Sequence, residues 1–231
     1  MANTYVEIAE DFCVQLRDAK KNRIPDPGAN ADWTEHHRLE KDVLRAAMKT
    51  IVFAAMAVEA AIFDLAAIHL SDEYALKYLD KIDLFGKWAI VPKLICGKSL
   101  DLNAPAMNGL SSLIKDRNAL VHYKSSPMPK NTREAYERLQ REGAALFEQF
   151  LRNAENAMQT IVLLSLEVDR TLGTPTSVLG YYGKRGKVVS DPASHVALKD
   201  LIDNCRQIDA KNAKKMKTAS KPSTEGTPAG D

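Results

Sequence analysis

Apolar residues recur every three or four positions along most of the chain, and this spacing is typical of one face of an α-helix. Long helices are predicted over residues 3–20, about 32–70 and 133–172. Residues 51–70 are apolar almost all round, which indicates a helix buried at the centre of the fold. Glu59 and Asp64 lie within that stretch, so we expect a core helix and no membrane span.

Capping residues, glycines and prolines indicate where helices begin and end. Thr4 and Glu7 form a capping box at the start of the first helix, and Pro25 belongs to the connector after it. Shorter helices are predicted over residues 71–81, 84–96, 106–122 and 193–215. Pro92 is expected to interrupt the second of these, and Gly97 is expected to end it.

Residues typical of β-strands appear before the last predicted helix. β-Branched and aromatic residues at 178–182 and 187–189 flank a turn carrying Lys184 and Arg185, which predicts a small β-hairpin with a basic tip. Aromatic side chains beside basic ones are able to stack bases and bind phosphates. Alternatively, the hairpin packs against the bundle.

These elements predict an all-α helical bundle of long antiparallel helices with a small C-terminal hairpin and helix extension. The 231 residues are 45% hydrophobic and 27% charged, which suits one main domain with extensions. The predicted division is a helix and linker at 1–31, the bundle at 32–172, a hairpin and basic helix at 173–216, and a disordered tail at 217–231.

The 3 cysteines are isolated along the sequence and show neither disulfide nor metal-ligand spacing. That pattern is typical of a reducing compartment, so we expect a cytoplasmic protein. The N-terminus has no basic region followed by an apolar run, and no secretory signal is expected. The sequence shows no metal or cofactor motif, so neither a metal nor a cofactor is predicted.

Basic residues are concentrated near the C-terminus. Residues 184–221 contain ten Lys or Arg and four Asp or Glu, a net charge of +6, whereas residues 1–183 carry a net charge of −2. This asymmetry indicates either an acidic partner, RNA included, or a solvated tail.

The segment 113–123 places an arginine, an amide and a histidine on a short, otherwise apolar helix. Arg117 and His122 are separated by roughly 140° around an ideal helix. They reach one cleft if Arg117 extends or if the helix loosens near His122. Arginine binds phosphate oxygens through forked donors, and histidine moves protons near neutral pH. Alternatively, His122 merely caps the helix and Arg117 pairs with a core carboxylate.

Glu59 is the odd residue of the apolar central helix. A buried carboxylate is costly unless it is paired, so we expect Glu59 to lie in the interior beside a cation. Arg117 is the natural partner, with Lys87 and Lys93 as rivals. Alternatively, Glu59 faces a water-filled groove.

The motif Arg117-Asn118-x-x-x-His122 resembles the R-x(4–6)-H motif of HEPN domains, which often have a polar residue directly after the arginine. The resemblance covers about residues 33–172 and implies an all-α bundle that dimerises and brings two motifs together. Many HEPN domains are metal-independent ribonucleases, and others are inactive and serve as binding modules. Toxin members often carry a tyrosine two positions after the histidine, where this chain has Lys124.

The resemblance implies a metal-independent endoribonuclease in which the 2′-hydroxyl of RNA attacks the adjacent phosphate within a dimeric composite site. It also implies a role in toxin–antitoxin systems or phage defence. The alternative is a catalytically silent HEPN dimer that binds protein or nucleic acid. Expected partners are RNA, a second copy of the chain, and a cognate inhibitor or partner protein. The predicted site comprises catalytic Arg117, His122 and Asn118, supporting Glu59 and Tyr123, and RNA-binding Lys124, Lys184 and Arg185.

Overall fold

Three long helices carry most of the hydrophobic core. The computed structural model describes residues 1–23, 33–122, 133–183 and 192–219. The long helices are α1 (Ala2–Asn22), α2 (Trp33–Leu70) and α6 (Arg133–Leu172). The shorter elements are α3 (Asp72–Tyr74), a π-helical turn (Ala75–Leu79), α4 (Leu84–Cys96), α5 (Pro105–Val121), α7 (Ala193–Ala197) and α8 (Lys199–Ala219). The predicted all-α bundle is confirmed, and the described ranges contain no β-strand.

The central helix is α2, which packs against both α1 and α6. Its fully buried side chains include Ala54, Ala57, Val58, Ala61 and Leu65. The alanines let neighbouring helices approach closely, and burial of the larger side chains stabilises the bundle. By length and composition α2 is also apolar enough to cross a membrane, and half of its most apolar window is buried inside the bundle.

The first helix begins earlier than its local signals predict. The prediction that Thr4 and Glu7 form a capping box at the start of α1 is wrong. The helix starts at Ala2, and its N-cap residue, Met1, makes no side-chain cap hydrogen bond. Ala2 and Val6 are each 2% exposed within the core. Packing of this first turn against the bundle therefore extends the helix past the capping signal.

One prediction for the chain between α2 and α5 is confirmed in outline, and another is wrong. The helix predicted over residues 71–81 runs from Asp72 to Leu79 with Ser71 as its N-cap, but its second half is a π-helical turn that places Ala75 and Leu79 in the core. The next helix, α4, continues through Pro92, because burial of the proline ring offsets the hydrogen bond that it cannot donate. As predicted, α4 ends at Gly97, which has a left-handed φ of 75°.

The prediction of a first hairpin strand over residues 178–182 is also wrong. Val178 and Gly180 form only an isolated bridge, and Gly180 turns the chain with a φ of 80°. This turn precedes Tyr182, whose ring is fully buried in the core. The second predicted strand and the basic tip lie outside the described residues. The single predicted final helix is split into α7 and α8 at Leu198, which leaves the helical conformation and is fully buried.

Candidate functional site

The motif helix α5 is fixed on its inner side by apolar packing. Its buried side chains are Ala106, Met107, Leu110 and Leu113. Gly109 lies so close to α6 that a Cβ placed on it would be 2.5 Å from the Thr160 Oγ1 atom. This close approach sets the position of α5, and the last turns of the helix carry Arg117, Asn118 and His122.

Arg117 is held at the surface by neighbours on α5 and α2. Its Nη1 donates a hydrogen bond to Asn118 Oδ1 at 3.1 Å, and its Nη2 lies 3.9 Å from Glu59 Oε2. The second distance is that of an ion pair without a direct hydrogen bond. The Arg117 and Glu59 side chains are 42% and 48% exposed, so water screens their attraction.

The structure therefore confirms that Glu59 lies beside Arg117, but the predicted interior position of Glu59 is wrong. The physical reason is that this side of α2 faces a groove instead of another helix. The alternative of a water-filled groove describes the surroundings of Glu59 correctly.

The groove has a volume of about 320 Å³ and lies between α2, α5 and the chain from Asp80 to Lys87. Its polar lining residues are Glu59, Asp80, Asp83, Lys87, Arg117 and Asn118, and its apolar lining residues are Ala55, Ile82, Leu84, Leu113 and Ile114. Asp83 Oδ1 accepts a hydrogen bond from the Gly86 N–H at 2.8 Å and so caps α4. The volume suits a ligand about the size of a nucleotide.

His122 lies at the end of α5, outside the groove lining that the described residues form. Its backbone N–H donates to the Asn118 carbonyl at 2.9 Å, and its φ of −108° and ψ of 36° depart from helical values. His122 is therefore the C-cap of α5, as the alternative of a helix-capping histidine described it. The side chain is exposed. The structure thus brings together Arg117, Asn118 and Glu59, and it leaves His122 beside them on the surface.

Lys87, expected only as a rival partner for Glu59, lies in the wall of the groove. The residue is 6% exposed, and its Nζ lies 4.1 Å from the centre of the Phe63 ring. Lys93, the other rival, is exposed on α4 and lies outside the groove lining. Adjacent residues point in different directions on a helix, so the neighbouring Trp88 does not mark Lys87 as buried; its position follows from the packing of α4 against α2.

Asp116 precedes Arg117 in the chain but belongs to a different contact. Its Oδ1 accepts a hydrogen bond from Asn153 Nδ2 at 2.9 Å, which ties α5 to α6. Burial raises the pKa of the Asp116 carboxyl above its ordinary value. Asp116 therefore helps to hold the motif helix against α6, whereas Arg117 lines the groove.

A second polar cluster, which escaped prediction, joins α1 to the C-terminal part of the chain. Glu10 is 3% exposed. Tyr182 Oη donates to Glu10 Oε1 at 2.5 Å, and Ser194 Oγ donates to Glu10 Oε2 at 2.6 Å. His195 Nε2 lies 3.0 Å from Glu10 Oε1. A glutamate within the apolar stripe of α1 is the sequence signal that marks this cluster.

The Glu10 cluster keeps its carboxylate ionised. Burial raises the pKa of Glu10, but hydrogen bonds from His195, Ser194 and Tyr182 lower it by more, so the pKa lies below its ordinary value. Burial, together with the adjacent carboxylate, raises the pKa of Tyr182 well above its ordinary value. The three donors compensate for the burial of the charge, and the cluster acts as a structural link.

Several predicted site residues lie outside the described part of the chain, namely Tyr123, Lys124, Lys184 and Arg185. Within the described ranges, no group of three or more His, Cys, Asp or Glu side chains is arranged to hold a metal ion. Comparison of the chain with protein-family models, with curated proteins and with solved structures found no match.

Proposed function

We propose that this chain is a cytoplasmic, metal-independent endoribonuclease of the HEPN type, whose site comprises the groove beside Arg117 and the exposed His122 at the end of the same helix. The observation that supports this best is the free donor capacity of the Arg117 guanidinium. Asn118 accepts from one of its nitrogens, and Glu59 stays beyond hydrogen-bond distance. Forked N–H donors therefore remain for the oxygens of a phosphate.

His122 moves protons in the proposed reaction. The RNA 2′-hydroxyl loses its proton to a neutral imidazole and attacks the adjacent phosphorus, while the bond from phosphorus to the 5′-oxygen breaks. The leaving 5′-oxygen takes a proton from a protonated imidazole. The products are a 2′,3′-cyclic phosphate and a 5′-hydroxyl. Arg117 stabilises the negative charge that develops on the phosphate oxygens.

The reaction needs one neutral and one protonated imidazole, and a single histidine cannot be both at once. A homodimer supplies the two, one His122 from each copy of the chain. Exposed apolar side chains on the motif helix and on α2 support this part of the proposal. Val121 is 57% exposed, and Met48 and Met56 on α2 are 38% and 36% exposed. Apolar surface of this kind favours association with another protein surface. Light scattering at micromolar concentration is expected to give the mass of a dimer, and a strict monomer would contradict the composite site.

The second candidate is a catalytically silent HEPN dimer that binds a protein or a nucleic acid. The observation in its favour is the exposed position of His122, outside the groove lining that the described residues form. In either case the proposed partners include a cognate inhibitor or partner protein. The proposed role in a toxin–antitoxin system or in phage defence comes from the resemblance of the motif alone.

The test is cleavage of single-stranded and structured RNA by the purified protein in the presence of EDTA. His122→Ala is expected to lose about 10²–10⁴-fold in rate, because it removes the proton-transfer group. The cleavage rate of Arg117→Lys is expected to stay well below that of wild type, since lysine keeps the charge but lacks the paired N–H donors of the guanidinium. His69→Ala, an exposed histidine of α2, is the matched control and should cleave like wild type.

The products should carry 2′,3′-cyclic phosphate and 5′-hydroxyl ends. Equal cleavage by wild type and His122→Ala would assign the activity to a contaminant and refute the site. Absence of cleavage by wild type, with a partner still bound through the groove, would establish the silent module instead.

A further inference from the structure

We infer that Lys87 is a second phosphate-binding cation of the groove and that, together with Arg117, it seats an internal phosphodiester of single-stranded RNA. This inference deepens the proposed function and rests on it for the class of ligand. It assigns a binding residue that lies far from the motif in sequence but lines the same cavity as Arg117.

The first argument is that the stem of Lys87 is buried, while its solvent-accessible ammonium has no carboxylate partner among the described residues. Lys87 is 6% exposed, yet no carboxylate of the described chain lies within ion-pair distance of its Nζ. The ammonium lies over the face of the Phe63 ring, 4.1 Å from the ring centre. A cation–π contact offsets part of the desolvation cost of an ammonium, and an anionic ligand offsets the rest.

The second argument is that the acidic residues of the groove are occupied or solvated. Asp83 Oδ1 caps α4 through the Gly86 N–H at 2.8 Å. Glu59 is 48% exposed and faces Arg117 at 3.9 Å. Asp80 is exposed at the rim. The two cations therefore remain available to a ligand inside the groove.

The third argument concerns the charge of that ligand. Among the described residues, two cations and three carboxylates line the groove. An internal phosphodiester carries one negative charge, whereas a terminal phosphate carries nearly two at neutral pH. The extra charge meets additional repulsion from the three carboxylates. The groove should therefore prefer a phosphodiester to a terminal phosphate, and its volume of about 320 Å³ accommodates a single strand better than a duplex.

The test measures binding of a single-stranded 2′-O-methyl oligonucleotide, which lacks the attacking hydroxyl and cannot be cleaved. Fluorescence anisotropy is recorded between about 50 and 200 mM salt, the range over which phosphate contacts change affinity most visibly. Each phosphate contact to a single strand contributes about 0.7 to the slope of log K against log salt. Lys87→Met is expected to lower the slope magnitude by about that amount, and Lys87→Arg is expected to retain it.

Lys93→Met is the matched control, because it removes an exposed lysine of the same helix that lies outside the groove lining. Its slope should equal that of wild type. A thermal melt accompanies each variant, and Lys87→Met should melt close to wild type, since methionine keeps most of the buried apolar stem of the lysine. An unchanged slope in Lys87→Met would overturn the inference and reduce Lys87 to a core residue.

Charge preference is tested by competition between uridine 3′-phosphate and its methyl ester, which differ by about one negative charge. The ester is expected to displace the oligonucleotide at lower concentration, and stronger competition by the free phosphate would refute the preference. Failure of wild type to bind the oligonucleotide would refute phosphate binding by Lys87 and Arg117. If wild type binds and Lys87→Met lowers the salt slope as expected, but ordinary RNA is not cleaved, the nuclease proposal is refuted and the phosphate-binding site remains supported.

Discussion

Replacing Glu10 with alanine is expected to destabilise the whole bundle, because one carboxylate satisfies three donors in the interior. Tyr182, Ser194 and His195 each lie within 3.0 Å of a Glu10 oxygen. Removal of one partner from a buried charged cluster typically costs about 3–5 kcal/mol, since Tyr182 and His195 stay buried without their partner, whereas Ser194 is half-buried. For a chain of this size that corresponds to a fall of roughly 6–20 °C in the melting temperature.

The measurement is urea and thermal unfolding followed by far-UV circular dichroism. Glu7→Ala is the matched control, because Glu7 is an exposed glutamate one turn earlier on α1. It should change stability by less than about 0.5 kcal/mol. A loss in Glu10→Ala below about 1 kcal/mol, or equal to that of the control, would refute the cooperative character of the cluster.

The same cluster predicts how stability depends on pH. The folded protein holds the pKa of Glu10 below its ordinary value of 4.5. As the pH falls, the unfolded chain therefore takes up the proton first, and folding loses the contribution of the ionised carboxylate. The stability difference between wild type and Glu10→Gln should be fully present above about pH 5 and shrink as the pH falls below 4.5 towards the lower folded pKa. A difference that grows on acidification would contradict this reasoning.

Two further predictions concern packing and thiol reactivity. Gly109→Ala should cost about 1–2 kcal/mol net, because its Cβ would lie 2.5 Å from Thr160 Oγ1 and overpacking exceeds the gain in helix propensity; urea unfolding measures the loss. Burial raises the pKa of Cys13 and Cys205 to about 12, so a thiol reagent at pH 8 should modify only the partly exposed Cys96 in the folded protein, as peptide mass mapping will show.

The controls for these two experiments come from the same chain. Gly143→Ala lies on α6 with open space around its added methyl group, so it should stabilise the protein by about 1 kcal/mol or less. Equal effects of the two glycine replacements would contradict the close approach of α5 to α6. Rapid modification of Cys13 in the folded protein would contradict its place in the core.

Local signals in the sequence were sufficient for most of the helices. The apolar stripe of 133–172 coincides with α6, and Gly97 ends α4 because a left-handed residue stops a helix by its own conformation. The motif helix was likewise predicted to within a residue at each end. Periodicity and termination act within a few residues of the chain, so they can be recognised without tertiary structure.

Long-range packing decided the points at which the structure departs from the predicted elements. Pro92 stays inside α4 because its ring is buried, and residues 75–79 adopt a π-helical turn that places two side chains in the core. The chain at Val178 forms no strand, and Tyr182 beyond it reaches Glu10 on α1. In each case the partner is distant in sequence, and its contribution outweighs the local preference.

Some features of the candidate site were likewise predicted from the sequence, and others were decided only by tertiary packing. Arg117 and Asn118 were predicted as site residues on one helix, and Glu59 was predicted beside Arg117 as a charge partner; the hydrogen bond from Arg117 to Asn118 is a finding of the structure. Only the tertiary structure showed that Glu59 faces a groove and that Lys87 lies in its wall. The physical reason is that a sequence pattern distinguishes the apolar side of a helix from its polar side, whereas the space between helices depends on how their side chains pack.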